Sequence, residues 1–168
     1  MLSLLLTAEL TGVTDLLPQD TEENPYYYTF KVQCTSCRET HPNFVSFNRF
    51  EQHEIPGSRG EANFVWKCRL CQRSHSASIL GAPSAYAAGA ENQRKGKGKG
   101  NGQKVIDIEC RGLEFTEFKA DGEWEAKGVE SSTPFTGIDL SEGEWYDYDE
   151  KAGDEVAIKE ISWELGRA

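Results

Sequence analysis

Apolar and polar residues alternate along several stretches of the chain, which is the pattern of half-buried β-strands. Residues 3–11 place Leu4, Leu6, Ala8 and Leu10 on one face. The same alternation predicts strands at residues 26–33, 43–50, 62–67, 105–110, 113–118, 124–127 and 155–165. Turn residues separate these stretches, and no long helical period lies between them. The predicted fold is therefore all-β, with about ten strands in a sandwich or barrel and room for two similar lobes packed together.

Two local patterns refine this prediction. Residues 141–144 read Ser-Glu-Gly-Glu, which fits a capping box and predicts one short helix leading into Trp145. Gly143 weakens that helix, so it is limited to a turn or two. Residues 30–34 and 106–110 each alternate and end in a cysteine, and each is followed by an aromatic strand. Internal duplication explains this similarity, and chance resemblance between amphipathic strands explains it nearly as well.

Composition changes in the middle of the chain. Residues 81–104 are rich in Ala and Gly and end in repeated Lys-Gly, which cannot bury apolar surface. We therefore predict a flexible loop there, with a basic tether for RNA or for localisation as the alternative. On either side, the division predicts one β lobe over residues 1–80 and an acidic β lobe over residues 105–168, packed together as one compact unit.

The net charge limits the classes of partner. The chain carries 18 Lys+Arg against 28 Asp+Glu, a formal charge of −10, with 18 of the acids in residues 105–168. This balance argues against binding to nucleic acid or to an anionic membrane surface, since both need clustered cations. No run of 18 apolar residues occurs, and the short N-terminal apolar run lacks a basic flank and is interrupted by Glu9. A cytoplasmic or nuclear location is expected, where cysteines are thiols or metal ligands rather than disulfides.

Two C-x-x-C motifs carry the strongest chemical signal. Cys34 and Cys37 form the first motif, Cys68 and Cys71 form the second, and 30 residues separate them. Two cysteines three residues apart in a tight turn can chelate one side of a tetrahedral ion, and a second such turn completes the site. We therefore predict one Zn²⁺ per chain on these four cysteines, within the 1–80 lobe. Because four sulfurs leave no open position, the ion is expected to be structural.

Other residues near the motifs are assigned lesser roles. His41 and His75 each lie four residues after a motif and are expected as bystanders on the rim, although either could replace a cysteine. The cations Arg38, Lys67, Arg69 and Arg73 are expected to offset the charge of the zinc thiolates. Cys110 is expected to be a small buried apolar residue, with an oxidation-sensitive thiol or a fifth metal ligand as the alternatives.

A further cluster combines rings and carboxylates at residues 145–152. One interpretation is a docking patch for a basic partner or an oxygen site for a hard cation. The simpler interpretation is that Trp145 and Tyr148 pack on the sheet while the acids face water. No spacing typical of a calcium loop, a nucleotide-binding loop or a catalytic triad is present, so no enzyme is expected.

Several segments together resemble the eukaryotic CXXC-motif-containing zinc-binding proteins. Besides the two C-x-x-C motifs, they are Gly-Ser-Arg-Gly at 57–60, Lys-Cys-Arg-Leu-Cys at 67–71, Glu-Cys-Arg-Gly-Leu-Glu at 109–114, Gly-Val-Glu-Ser at 128–131 and Trp-Tyr-Asp-Tyr-Asp-Glu-Lys-Ala at 145–152. The resemblance implies a small β-rich protein with one zinc on Cys34, Cys37, Cys68 and Cys71, and it implies no reaction. The Lys-Gly insert at about 89–103 departs from the family pattern.

The expected function is a zinc-binding protein that acts as an interaction module, without catalysis. Another protein is the expected partner, and the chain is expected to be a monomer. Two alternatives stay open at this point. One is a metal-handling protein that exchanges zinc or copper with a partner, and the other is a thiol redox protein that uses one of the C-x-x-C pairs.

Overall fold

The computed structural model describes residues 1–87 and 102–167. The regular secondary structure of these residues consists of β-strands alone, which confirms the all-β prediction. The strands are β1 Leu2–Thr11, β2 Val13–Pro18, β3 Tyr28–Cys34, β4 Val45–Phe47, β5 His53–Glu54, β6 Glu61–Ala62, β7 Phe64–Lys67, β8 Ser74–Leu80, β9 Gln103–Arg111, β10 Leu113–Lys119, β11 Trp124–Gly128, β12 Pro134–Ile138, β13 Trp145–Asp149 and β14 Asp154–Arg167.

Residues 141–144 precede β13 and do not form a helix. The short helix expected at residues 141–144 is wrong, because a turn closed by a hydrogen bond from Gly143 N–H to Leu140 O leads directly into β13. Gly143 has φ +85°, which a right-handed helix does not accommodate.

Most of the loop predicted at 81–104 lies outside the described residues. The part of the chain that is described contains no helix long and apolar enough for a membrane crossing.

The strands form curled antiparallel sheets that together make a half-barrel. The largest sheet has six strands in the order β13-β14-β1-β9-β8-β7. Two three-stranded sheets have the orders β10-β3-β4 and β12-β11-β2, and β5 pairs with β6 in a small hairpin. All the described strand pairs are antiparallel.

The pairing order of the main strands repeats. The six-stranded sheet divides in the middle into two sets of three strands, β9-β8-β7 and β1-β14-β13, each named from the centre to the edge. In the same way, the three-stranded sheet β10-β3-β4 corresponds strand by strand to the sheet β2-β11-β12. Each half of the molecule takes strands from both sides of the 81–104 segment. Residues 30–34 lie in β3, which corresponds to β11 and not to β9, where residues 106–110 lie. The similarity between those two stretches is therefore that of two amphipathic strands.

Two glycines make the corners at which the chain passes from the six-stranded sheet to a three-stranded one. Gly12 has φ +73° between β1 and β2, and Gly112 has φ +82° between β9 and β10, a conformation that favours glycine. The O atom of Gly12 accepts a hydrogen bond from Val129 N–H, and that of Gly112 accepts one from Thr35 N–H. The two corners thus have matching connections as well as matching positions.

One hydrophobic core runs through both halves. Phe30 stacks on Phe115 with ring centroids 4.5 Å apart, and Trp163 contacts both Phe118 at 4.7 Å and Trp124 at 5.4 Å. Leu4 and Leu6 of β1 are fully buried, on the face that the alternation predicts. Burial of these large rings stabilises the packing between the sheets. Phe64 of β7 joins the same cluster, because its ring stacks on that of Phe47 with the centroids 5.1 Å apart.

Candidate metal centre

The four predicted cysteines lie at the ends of strands from two different sheets. Cys34 is the last residue of β3, and Cys37 lies in the turn that follows. Cys68 directly follows β7, and Cys71 lies in the turn before β8. The four Sγ atoms all lie within 4.8 Å of one another. A metal ion held among them would join the three-stranded sheet of β3 to the edge hairpin of the six-stranded sheet.

The sulfur spacing fits a tetrahedral zinc ion. Zn–S bonds of about 2.3 Å place tetrahedral sulfur atoms about 3.8 Å apart. The Sγ atoms of Cys34 and Cys71 are 3.6 Å apart, and those of Cys37 and Cys68 are 3.5 Å apart. Cys34 and Cys68 are fully buried, whereas Cys37 and Cys71 are half-buried. The donor set is therefore complete, soft and open to solvent on one side only.

The two cysteine turns share one backbone conformation. In the first turn, Arg38 N–H donates to Cys34 O and Cys34 N–H donates to Glu39 O, both at 2.9 Å. Arg38 has φ +67°, in the left-handed region. In the second turn, the same bonds and the same left-handed residue recur with Cys68, Gln72 and Arg73. The C-x-x-C motif thus builds the same local structure twice, and each turn aims its two sulfurs at the other turn.

Backbone N–H groups prepare the first cysteine of each turn to be a thiolate. Burial by itself would raise the pKa of Cys34, but the N–H groups of Cys37 and Ser36 donate to its sulfur and lower the pKa to about 6. The N–H of Cys71 has the largest effect on Cys68, and it lowers the pKa of that thiol against the effect of burial.

The second cysteine of each turn behaves oppositely. The N–H of Glu39 favours the Cys37 thiolate, yet burial and the neighbouring sulfurs outweigh it and raise the pKa of Cys37 to about 12. The N–H of Arg73 acts in the same way on Cys71, whose pKa is also raised by burial and by the sulfur of Cys34. Because cysteines bind metal as thiolates, a divalent cation held by the four sulfurs would displace the thiol protons.

His75 belongs to this centre, contrary to the expectation that it lies on the rim. Its side chain on β8 is only 6% exposed, and its Nε2 atom lies 3.2 Å from Cys34 Sγ. Its ring lies 5.7 Å from that of Trp66, and His41 contacts the indole of Trp66 at 6.0 Å. His41 is half-buried and, unlike His75, is not hydrogen-bonded to a cysteine sulfur. The sequence signal for His75 was weak because β8 mixes Ser and His with apolar residues, so its inward face could not be identified.

The other expected neighbours have different positions. Arg38, Lys67, Arg69 and Arg73 are all exposed, and none pairs with a carboxylate of the described residues. The donors that reach the sulfurs are backbone N–H groups and His75. Cys110 on β9 is half-buried rather than fully buried, and burial raises the pKa of its thiol to about 11. It does not join the group of four sulfurs.

A second pair of turns repeats the cysteine turns without any cysteine. Ser132 N–H donates to Gly128 O at 3.0 Å, and Gly128 N–H donates to Thr133 O at 2.9 Å, with Ser132 at φ +59°. Gly153 N–H donates to Asp149 O at 2.8 Å, with Gly153 at φ +72°. In strand order and bonding, the positions of Cys34, Cys37, Cys68 and Cys71 are taken here by Gly128, Ser131, Asp149 and Ala152, respectively.

A buried carboxylate occupies the middle of this second pair. Asp149 is 1% exposed, and it accepts hydrogen bonds from Ser131 Oγ, from Thr133 Oγ1 at 3.1 Å, and from the N–H groups of Lys151 and Ala152 at 3.1 and 3.2 Å. The Ser131 hydroxyl has the largest effect among those that lower the pKa of Asp149. Sequence reasoning missed this role, because Asp149 stood in a segment where acids were expected to face water.

The remaining side chains of the 145–152 cluster divide between the core and the solvent. Trp145 packs edge-on against Phe135 with the ring centroids 5.6 Å apart, as expected. Tyr148, which was expected to pack on the sheet, is 50% exposed, and Tyr146 is 60% exposed. Both tyrosines lie on β13, an edge strand of the six-stranded sheet.

This arrangement defines a class of small β-proteins in which paired C-x-x-C turns from two sheets form a four-sulfur centre. The chain belongs to the family of the CXXC motif containing zinc binding proteins of eukaryotes, whose model matches residues 3–166. The human protein of that name is 33% identical over 161 residues, covering 96% of this chain and 94% of its own. A UPF0587 protein of Schizosaccharomyces pombe is 46% identical over 166 residues, covering 99% and 98% of the two chains.

Solved structures agree with the fold. The crystal structure of C1orf123 matches with a TM-score of 0.83 and 32% sequence identity, covering 99% of each chain. A hypothetical protein from Plasmodium falciparum matches with a TM-score of 0.79 at 22% identity over 98% of each chain, and this second likeness concerns the fold alone. The family and the cluster of four cysteines together fit a zinc-binding role for this chain.

Proposed function

We propose that Cys34, Cys37, Cys68 and Cys71 hold one structural Zn²⁺ per chain, and that the protein acts as a binding module without catalysis. The observation that carries this proposal is the convergence of four sulfurs from two matched turns to within 4.8 Å of one another. Such a donor set fills the coordination sphere of zinc, so neither water nor a substrate has a position on the ion. When bound, the ion supplies cross-links between chain segments.

The position of the centre explains why a cross-link is useful. β7 is an edge strand that pairs only with β8, over four residues. β3 lies in a different sheet. An ion on both turns therefore ties a short edge hairpin to the middle strand of the neighbouring sheet, and its binding free energy adds directly to the free energy of folding.

The surface supports the binding role. Leu70, at the tip of the second cysteine turn, is 65% exposed, and Tyr146 and Tyr148 are exposed on the opposite edge of the six-stranded sheet. The net charge of −10 disfavours nucleic acid and anionic membranes as partners, so we propose a protein partner. We further propose that the chain is a monomer and that it is located in the cytoplasm or the nucleus.

Native mass spectrometry combined with thermal unfolding tests the proposal. We expect a monomer with one zinc, and a large loss of stability once a strong chelator removes the ion. Two zinc ions per chain, or no zinc at all, would contradict the stoichiometry. Full thermal stability of the metal-free chain would contradict the structural role.

The half-buried sulfurs of Cys37 and Cys71 favour one alternative, a protein that exchanges zinc or copper with a partner. In that case a modest chelator would take the metal while the circular dichroism spectrum of the folded chain persisted. The thiol redox alternative predicts a reversible Cys34–Cys37 or Cys68–Cys71 disulfide. It has less support, because neither turn leads into a helix whose N-terminus would activate a thiol.

A further inference from the structure

His75 occupies a position that the other half of the molecule fills with Val156. Each residue lies two positions after its turn, on β8 and β14 respectively, and each side chain packs against a corner glycine. A Cβ added to Gly112 would collide with Nδ1 of His75, and one added to Gly12 would collide with Cγ1 of Val156. The fold therefore accepts an apolar side chain at this position, and a histidine occupies it in the half of the molecule that contains the four cysteines.

The contacts of the imidazole point to its role. Gly112 stands against the Nδ1 side of the ring, which leaves Nε2 directed at Cys34 Sγ, 3.2 Å away. A sulfur that binds zinc is a thiolate and can only accept a hydrogen bond, so the nitrogen facing it must carry the proton. We infer, on the basis of the proposed zinc site, that His75 is a positioning residue whose Nε2–H donates a hydrogen bond to the Cys34 thiolate. This hydrogen bond makes Cys34 the last of the four ligands to leave the ion.

Burial and the position of His75 support this order. Cys34 and Cys68 are fully buried, whereas Cys37 and Cys71 are half-buried. Of the two buried sulfurs, that of Cys34 has the imidazole Nε2 of His75 at 3.2 Å. Hydrogen bonds reduce the basicity of a thiolate, and burial limits access, so electrophiles and chelators should reach Cys37 and Cys71 first.

The test uses His75→Val, which installs the side chain that the fold already carries at the equivalent position. Zinc-loaded wild type and variant are treated with limiting iodoacetamide, from which an attacking sulfur displaces iodide, and the alkylated residues are mapped by mass spectrometry. We expect wild-type Cys34 to react last, and in the variant to react about tenfold faster or more relative to Cys68. Zinc affinity should fall by about 10- to 100-fold.

His41→Val is the matched control, because His41 also contacts the ring of Trp66 but is not hydrogen-bonded to a cysteine sulfur, so both readouts should stay unchanged. Nitrogen-15 NMR of wild-type His75 provides an independent measurement, in which protonated Nε2 is expected. Unprotonated Nε2, or a His75→Val variant with unaltered alkylation order and zinc affinity, would overturn the inference. A wild-type chain without zinc would instead contradict the proposed function, and the role of His75 would then be decided by the NMR measurement alone.

Discussion

The two pairs of turns hold the same backbone together by different means. At residues 34–39 and 68–73 four sulfurs converge, whereas at 128–133 and 149–154 a single buried carboxylate accepts the hydrogen bonds that bridge the turns. The Sγ atoms of Cys37 and Cys68 meet at 3.5 Å, and at the equivalent positions Ser131 donates to Asp149. Both turn pairs therefore have side-chain contacts between the turns at equivalent positions, sulfur atoms in one pair and a hydroxyl with a carboxylate in the other.

The difference between the two cross-links lies in what they demand from their surroundings. Asp149 draws all its partners from neighbouring turns of the chain itself, so the second pair is complete as soon as the chain folds. If zinc has the proposed structural role, the sulfur centre needs an ion from solution, and we expect its stability to depend on zinc concentration and on pH. The carboxylate of the second pair needs no ion, and we expect it to respond only to acid.

Loss of a zinc ligand should have the largest effect on this comparison. Replacing buried Cys68 by Ser removes one of the four sulfurs, and we expect the variant to lose zinc and to unfold at a much lower temperature than wild type. Circular dichroism melts with and without added zinc measure the effect. Cys110→Ser is the control, and a similar loss in that variant would show that the thiols matter for packing rather than for metal binding.

Grafting the cysteines into the second pair should convert one kind of cross-link into the other. A Cβ at Gly128 would collide with Asp149 and Ser131 oxygens, and these are atoms that the graft removes. We therefore expect the combined variant Gly128→Cys, Ser131→Cys, Asp149→Cys and Ala152→Cys to bind two zinc ions per chain. Native mass spectrometry counts them. A folded variant that still binds one zinc would refute the equivalence of the two turn pairs.

Removing the carboxylate charge should have an intermediate effect. Asp149→Asn retains the shape of the side chain but replaces one acceptor oxygen by an NH2 donor. Both oxygens accept hydrogen bonds, Oδ2 from Ser131 and Oδ1 from Ala152, so in either orientation the NH2 group would face a donor. We expect the melting temperature at pH 7 to fall by about 3–10 °C. Ser131→Ala removes only one of the four hydrogen bonds and should cost less.

The pH dependence of the Asp149 effect has a definite sign. Its pKa in the folded protein lies below the ordinary value of 3.8, so its stabilisation is fully present above the unfolded pKa and is lost as the pH falls through the lowered folded value. The stability difference between wild type and Asp149→Asn should therefore narrow as the pH falls below about 4. Denaturant unfolding at several pH values measures it, and a difference that widened in acid would contradict the assignment.

The smallest expected effect concerns the left-handed residues of the cysteine turns. Arg38→Gly relieves a left-handed penalty of about 1–2 kcal/mol and increases the entropy of the unfolded chain by about 0.4–1 kcal/mol, so a net gain of about 0.5–1 kcal/mol is expected. Urea unfolding of the zinc-loaded protein measures this gain. Arg73→Gly, at a position without positive φ, should destabilise the protein, and equal effects would disprove the explanation.

Local pattern was sufficient for part of the fold. Strands with clean alternation, such as β1 and β9, were predicted within one or two residues. β2, β5, β8 and β12 were missed, because their mixed polar and apolar residues show no strong period of two. β13 was missed for another reason, since a local capping pattern favoured a helix there, whereas pairing with β14 along the edge of the large sheet decided the outcome.

The sequence by itself determined the all-β class and singled out the four cysteines, because alternation and C-x-x-C spacing are local properties of the chain. Only the tertiary structure placed His75 beside Cys34 and Asp149 among its hydrogen-bond donors. His75 depends on Gly112 and Cys34, and Asp149 depends on Ser131, partners that lie far away along the chain and meet only when sheets pack. A side chain whose function depends on such contacts has no local signature, whereas a chelating turn has one in four residues.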